Sequence, residues 1–180
     1  IYVKKKKKKF LKLIEDRYSC RNFSDKMVES DKLEKIIEAG TYAPSAMGRQ
    51  ATRLLVIKNK QLRDEFMKDN AKIMGAEGMD PFYGAPVIIV VLRDKTFAPS
   101  IYDGALVMGN LMNAAHALGL GSIWIHRAKE EFEMDKYQKL LKEHGIEGEF
   151  EGVGHCALGY IAGGIKDPAP RMEDHVIVIE

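Results

Sequence analysis

The spacing of apolar residues divides the chain into helical and strand-like stretches. Phe10, Leu11, Leu13 and Ile14 predict a short helix ending near Asp16. Leu33, Ile36 and Ile37 repeat at helical spacing behind Ser30, which can cap the start, while Gly40 and Pro44 bracket the end. Residues 54–57 are apolar and partly β-branched, which predicts a strand. Residues 62–74 turn Phe66, Met67 and Ile73 to one side, which predicts a helix. Glycines 75, 78 and 84 and prolines 81 and 86 make residues 75–86 a loop. Residues 87–92 are apolar at every position, so a strand buried on both faces is expected. Residues 100–118 are apolar almost all round, and a helix without a polar face is buried on all sides. Strands are expected at 122–126 and 154–161. An amphipathic helix at 130–144 carries Phe132, Tyr137, Leu140 and Leu141, and a short terminal strand falls at 176–179.

This order opens with two helices and then alternates. It predicts an α+β protein of mixed α/β layers, with a central mixed β-sheet flanked by helices. A chain of 180 residues is one domain, expected at 10–180 behind a basic segment at 1–9. Gly104, Ala105, Gly109, Ala114 and Ala115 leave room for close backbone approach along the 100–118 helix. In a chain of this size such a helix needs cover from outside its own domain, which predicts a dimer core.

Charge changes the picture at one place. The formal net charge is +2, but residues 4–9 are six consecutive lysines, so the rest of the chain carries −4. The run reads as a solvated, disordered leader. Basic residues interleaved with aromatics, as nucleic-acid binding requires, are missing from the body, so no nucleic-acid partner is expected. No apolar stretch reaches the roughly 18 residues that cross a bilayer, and no apolar segment follows the basic N-terminus as in a secretory signal. Cys20 and Cys156 are too few for a disulfide scaffold and fit no zinc spacing, so no metal is expected and a reducing cytoplasm is the simplest location. Neither G-x-G-x-x-G after a first strand nor a P-loop occurs.

Four segments carry candidate chemistry. Arg17, Ser19 and Arg21 alternate along an extended stretch, which puts two guanidinium forks and a hydroxyl on one side, a set suited to phosphate. Residues 43–50 (APSAMGRQ) run from a helix end into a loop where Ser45 and Gln50 can hydrogen-bond a polar ring. In 119–126 (GLGSIWIH), a glycine-rich turn feeds a strand bearing the only tryptophan. Gly159-Tyr160 is followed by Lys166, Pro168, Pro170 and Arg171. Taken singly, each also fits a structural role: a surface ion-pair cluster, a plain loop, a core strand and a solvated loop.

Together, in this order, the segments resemble the FMN-dependent nitroreductase family. That family pattern has an R-x-S-x-R segment, A-P-S-x-x-x-x-Q, a G-A-P-V strand and a D-x-x-x-A-x-x-x-N-L helix running into L-G-L-G-S-x-W-I. A G-Y strand and a basic, proline-containing C-terminal loop complete it. Here the matches are Arg17/Ser19/Arg21, Ala43-Pro44-Ser45 with Gln50, Gly84-Ala85-Pro86-Val87, Asp103 with Asn110-Leu111, 118–122 with Trp124-Ile125, Gly159-Tyr160, and Arg171. They cover nearly all of residues 10–180. The chain departs from the pattern at Ala51-Thr52, where Pro-Trp is usual, at Gly48 for Asn, at Gly109 for Gln, and at Ala169 for a basic residue, which leaves Lys166 for that role. These changes bear on substrate and nicotinamide preference.

The resemblance implies a nitroreductase-like fold in an intertwined homodimer, with FMN at the subunit interface and residues 176–179 crossing to the partner's sheet. Arg17, Ser19 and Arg171 would hold the phosphate and ribityl chain, and Tyr18 would be among the cofactor-binding residues. Arg21 would lie toward the flavin N1/O2 side, where a positive charge stabilises the anionic reduced ring. Pro44, Ser45, Ala46 and Gln50 would reach the flavin of the other subunit, and Trp124, Ile125 and His126 would line the ring near N5, partly through backbone groups. The implied activity is ping-pong hydride transfer from NAD(P)H to the flavin and on to a nitroaromatic, quinone or similar small-molecule acceptor. A non-catalytic flavin-binding module, or other flavin chemistry on the same fold, is the alternative. His126 is open to two roles, proton donor or packing residue. Asp103 is expected to cap or pair, His116 to be a satisfied core histidine, and Cys20 to be a bystander whose pKa nearby arginines would lower.

Overall fold

The structure, a computed structural model, describes the backbone from residue 2 to residue 180 and side chains from Lys9 onward. Ten principal elements follow in order: α1 (Tyr2–Asp16), α2 (Ser30–Thr41), β1 (Thr52–Ile57), α3 (Lys60–Ile73), β2 (Val87–Asp94), α4 (Ser100–Ala117), β3 (Gly121–Ile125), α5 (Ala128–Phe132), α6 (Asp135–Glu143) and β4 (Phe150–Gly159). The α+β architecture is as expected. The four strands lie in the order β1-β2-β4-β3, and all three strand pairs are antiparallel. The expected mixed sheet is therefore corrected. Among the described residues, parallel pairing is confined to an isolated bridge between Ser19 and Ser122.

β2 is the centre of the molecule, and residues 87–92 are fully buried. Its pleat alternates: Ile88, Val90 and Leu92 enter one core cluster, and Val87, Ile89 and Val91 the other. The first cluster is closed by α3, α5 and α6, where Phe66 stacks on Tyr137 at 4.1 Å between ring centroids and Phe132 lies 6.0 Å from Phe66. The second lies under α2 and α4.

Four expectations change. The lysine run forms the first turns of α1 rather than a separate leader, which suits the good helix propensity of lysine; the side chains of residues 4–8 lie outside the described residues. The single helix expected at 130–144 is two, broken at Met134. In one straight helix Phe132 and Tyr137, five residues apart, would point about 140° apart, and the break lets both reach Phe66. β4 starts four residues early, at Phe150, because its glycines are places of close approach. A Cβ at Gly152 would come within 2.3 Å of Ala128 backbone. Residues 176–179 form no strand within the chain and stand exposed; they add to neither edge strand, β1 nor β3, of the open four-stranded sheet. α4 buries Gly104, Val107, Met108, Leu111 and Ala115 but leaves Tyr102 73% and Leu106 47% exposed. Cover on all sides is thus not supplied by the chain itself. Among the described residues, no helix is long and apolar enough to cross a membrane.

Candidate functional site

Residues 17–23 run extended past the start of β3. Ser19 bridges Ser122, and the Cys20 N–H donates to the Ser122 carbonyl at 3.0 Å. Phe23 is pinned between Ile161 and the Tyr83 carbonyl. Asn22 ties this segment to the C-terminal strap, donating from Nδ2 to the Ala162 carbonyl at 3.0 Å and accepting the Ala162 N–H at its own carbonyl.

These ties bring the two ends of the chain together around a cleft of about 820 Å³. It is lined by Arg17, Tyr18, Ser19 and Arg21 and by Lys166 and Arg171, with Glu15 and Asp167 also in the lining. Four cations against two carboxylates give the lining a positive balance. Among the described residues, Arg17 Nη1 and the Tyr18 hydroxyl are buried there without a hydrogen-bond partner. A buried guanidinium N–H left open is costly, and a phosphate oxygen would satisfy it. The residues present therefore fit a phosphate-bearing ligand. Arg171 at present turns its guanidinium back on the Ala169 carbonyl. The thiols are not activated by this charge. Burial raises the Cys20 pKa, against a weaker opposite pull from Lys166, so the expected lowering is corrected. Burial pushes Cys156 to about 12 despite Arg17.

A second cleft, of about 530 Å³, lies further along β3 between that strand, the start of α4 and β4. Trp124, His126, Arg127 and Tyr102 line it. The Trp124 and His126 rings are 5.8 Å apart. The indole lies against Gly154, where a Cβ would come within 2.2 Å of Trp124 Nε1. Ile125 is buried in the core at 6% exposure, so only its backbone is available to a ligand. Ser122, beside the first cleft, and His126, in the second, are separated by roughly 13 Å of strand. One extended ligand could thus run along β3.

The loop that holds Pro44, Ser45, Ala46 and Gln50 joins neither cleft within one chain. The Ala46 N–H donates to Asp103 Oδ1 at 2.9 Å, so Asp103 pairs as expected, and Ser45 Oγ accepts the Gln50 N–H at 3.1 Å. His116 is only partly buried. Among the described residues, the non-glycine residues with positive φ are Met47, Gln50, Tyr83 and Arg127. Three of the four lie in this loop or beside Trp124 and His126, which fits the tendency of backbone strain to collect at functional sites. Arg127 and Tyr102 were not anticipated. A left-handed arginine leaves no mark in a sequence, and Tyr102 reads as one more apolar residue of α4.

A sequence model of the Nitroreductase family matches residues 14–160. An Archaeoglobus fulgidus protein named as an NADH dehydrogenase/NAD(P)H nitroreductase is 30% identical over 155 residues, 83% of this chain and 84% of its own length. This chain belongs to the Nitroreductase family. A nitroreductase of Desulfitobacterium hafniense, crystallised with FMN, shares the fold at TM-score 0.85 and 29% identity, over 95% of this chain and 98% of its own. One from Bacteroides fragilis, also with FMN, matches at TM-score 0.85 and 23% identity over the same shares. As a nitroreductase fold, the molecule brings residues 17–21 and 166–171 into one cleft and sets Trp124 and His126 in another along the same strand.

Proposed function

We propose that the chain is an FMN-dependent oxidoreductase that takes hydride from NAD(P)H and passes it to a nitroaromatic, quinone or similar acceptor. The observation that carries this reading is the cleft that gathers Arg17, Ser19, Arg21, Lys166 and Arg171, in which half-buried Arg17 has one guanidinium nitrogen, Nη1, without a partner. Relatives support it: the Desulfitobacterium structure holds FMN, and a Bacillus subtilis FMN reductase [NAD(P)H] is 24% identical over 63% of this chain and 52% of its own length.

Bound FMN supplies the hydride chemistry, accepting from the nicotinamide and donating to the acceptor. The chain supplies position and field. Arg17 and Ser19, with Lys166 and Arg171 from the C-terminal segment, would hold the phosphate and ribityl chain. Arg21 would set a fixed positive charge near the pyrimidine side, where it would stabilise the reduced ring. Trp124 and His126 would border the ring, with the backbone at 125–127 toward its N5 edge.

The second copy completes the site. The exposed outer face of α4, with Tyr102 and Leu106, and the apolar tail at 176–179 are unpaired in one chain. A dimer covers them and brings Pro44, Ser45, Ala46 and Gln50 against the partner's flavin.

The test is the visible spectrum of the purified protein before and after anaerobic NADPH. Flavin bands that bleach establish the reductase. Bands that persist point to a flavin-binding module or to other flavin chemistry, and a colourless protein that takes up no FMN sinks the reading.

A further inference from the structure

Behind the Trp124/His126 cleft lies a polar network with no part in the functional reading given so far. Asn70, Glu131 and His155 are each fully buried. Asn70 Nδ2 donates to the His126 carbonyl at 3.0 Å and to Glu131 Oε1 at 3.3 Å. Asn70 Oδ1 accepts from Arg127 Nε at 2.9 Å. His155 Nδ1 is 3.4 Å from the Ile125 carbonyl. Its Nε2 is 2.8 Å from Glu131 Oε2, close but angled away from an ideal hydrogen bond. The three arms therefore end on three consecutive residues: Ile125, His126 and Arg127.

The surroundings of this network are apolar. The Phe66 and Phe82 rings lie 5.8 and 5.2 Å from the His155 ring. Apolar side chains would fill such a place at no desolvation cost, so the network is a poor way to gain stability. What it provides is a fixed turn. Arg127 stands in the left-handed region at φ 77°, which a non-glycine residue keeps only when its surroundings over-determine it. Its guanidinium, tied to Asn70, is one of those determinants.

We infer that Asn70, Glu131 and His155 are positioning residues that hold the 125–127 turn in the geometry that hydride transfer needs. The inference rests on the flavin reading above, which sets this turn beside the N5 edge. The network touches neither ligand nor solvent and acts through the turn. The phosphate cleft, at the other end of β3, does not depend on it.

Trp124, the only tryptophan, is a built-in reporter one residue before the turn. The test uses E131Q and the double variant E131L/H155F, in which apolar side chains replace the buried Glu131–His155 pair. The double variant keeps the fold even where E131Q does not, because such replacements are often neutral or stabilising. In flavin-free protein, we expect faster amide exchange confined to residues 125–128 and a shifted Trp124 emission, with the melting midpoint of the double variant unchanged. In FMN-loaded protein, flavin affinity stays near wild type, while the rate of flavin reduction by NADPH falls about tenfold or more and KM for NADPH barely moves. Folded variants with wild-type exchange, emission and reduction rate would show the network to be structural only. A wild-type protein that binds no FMN would instead fail the flavin reading, and exchange at 125–128 would still decide whether the network holds the turn.

Discussion

The two faces of the sheet are finished to different degrees. On the face under α3, α5 and α6, Phe66, Phe132 and Tyr137 close the core, each 2% exposed or less. On the face under α2 and α4, Ile36, Met108 and Leu111 are equally buried, yet the outer side of α4 still shows Tyr102 and Leu106 to solvent, and Val176 to Ile179 stand at least 75% exposed. The first face is closed by the chain's own helices, and the second leaves apolar side chains of α4 open to solvent. Trp124 packs on the second face, so the cleft it lines stands on the face left open. The phosphate cleft is different again, since both its walls come from one chain.

The sharpest way to break this contrast is to damage the closed face. Phe66→Ala removes a fully buried ring that stacks on Tyr137 and should cost about 3–5 kcal/mol of folding stability. Urea unfolding reads it, and the loss should not depend on protein concentration. A loss below about 1 kcal/mol would mean that the face repacks freely and is not the self-sufficient core described here.

Arg17→Ala addresses the cleft built from one chain. It deletes the buried, unpartnered Nη1 and should weaken FMN binding by about 1.5–3 kcal/mol, with little effect on unfolding. Because both walls belong to the same chain, the fold-loss in affinity should be the same at low and high protein concentration. Unchanged flavin occupancy would remove Arg17 from the phosphate site.

Leu106→Asp tests the unfinished face. At 47% exposure the side chain contributes little to the fold of one chain, but a charge there should weaken self-association on the order of 1–2 kcal/mol. Sedimentation across a concentration series measures this. Wild-type association in the variant would show that α4 is covered by something other than a second copy.

Much of this was legible in the sequence because it rests on local pattern. The unbroken apolar run of β2 announced burial on both faces, and the alternation of Arg17, Ser19 and Arg21 announced one cationic side. The missing polar face of α4 announced apolar side chains that the chain itself leaves open, Tyr102 and Leu106. Other features depend on contacts distant in sequence. The break at Met134 exists because two aromatics must reach Phe66, some 70 residues earlier in the chain. The left-handed Arg127 and the arms of Asn70 and His155 that steady it come from three elements, and no spacing reveals them. The antiparallel order β1-β2-β4-β3 is likewise set by which strands find each other, not by their composition.

The smallest expected effect concerns how the unfinished face is fastened. The Tyr160 hydroxyl, just past β4, donates to Glu29 Oε2 at 2.5 Å, and Lys32 Nζ donates to the same hydroxyl at 2.8 Å. This joins the start of α2 to the end of the sheet. The bond from Tyr160 is the main reason the Glu29 carboxyl is held down to about 2 from its usual 4.5, with its own backbone and Lys26 contributing further. A carboxyl with a depressed folded pKa adds stability in full above its unfolded pKa and loses it as pH falls through the folded value. The melting difference between wild type and Glu29→Gln should therefore be constant above pH 4.5 and shrink toward zero as pH drops to about 2. Glu29 is exposed, so the difference should also be small and fade with added salt. A difference that stays flat from pH 4.5 to 2 would mean that Tyr160 and Glu29 do not fasten α2 to the sheet through charge, and that the packing of Leu33 and Ile36 alone holds this edge of the unfinished face.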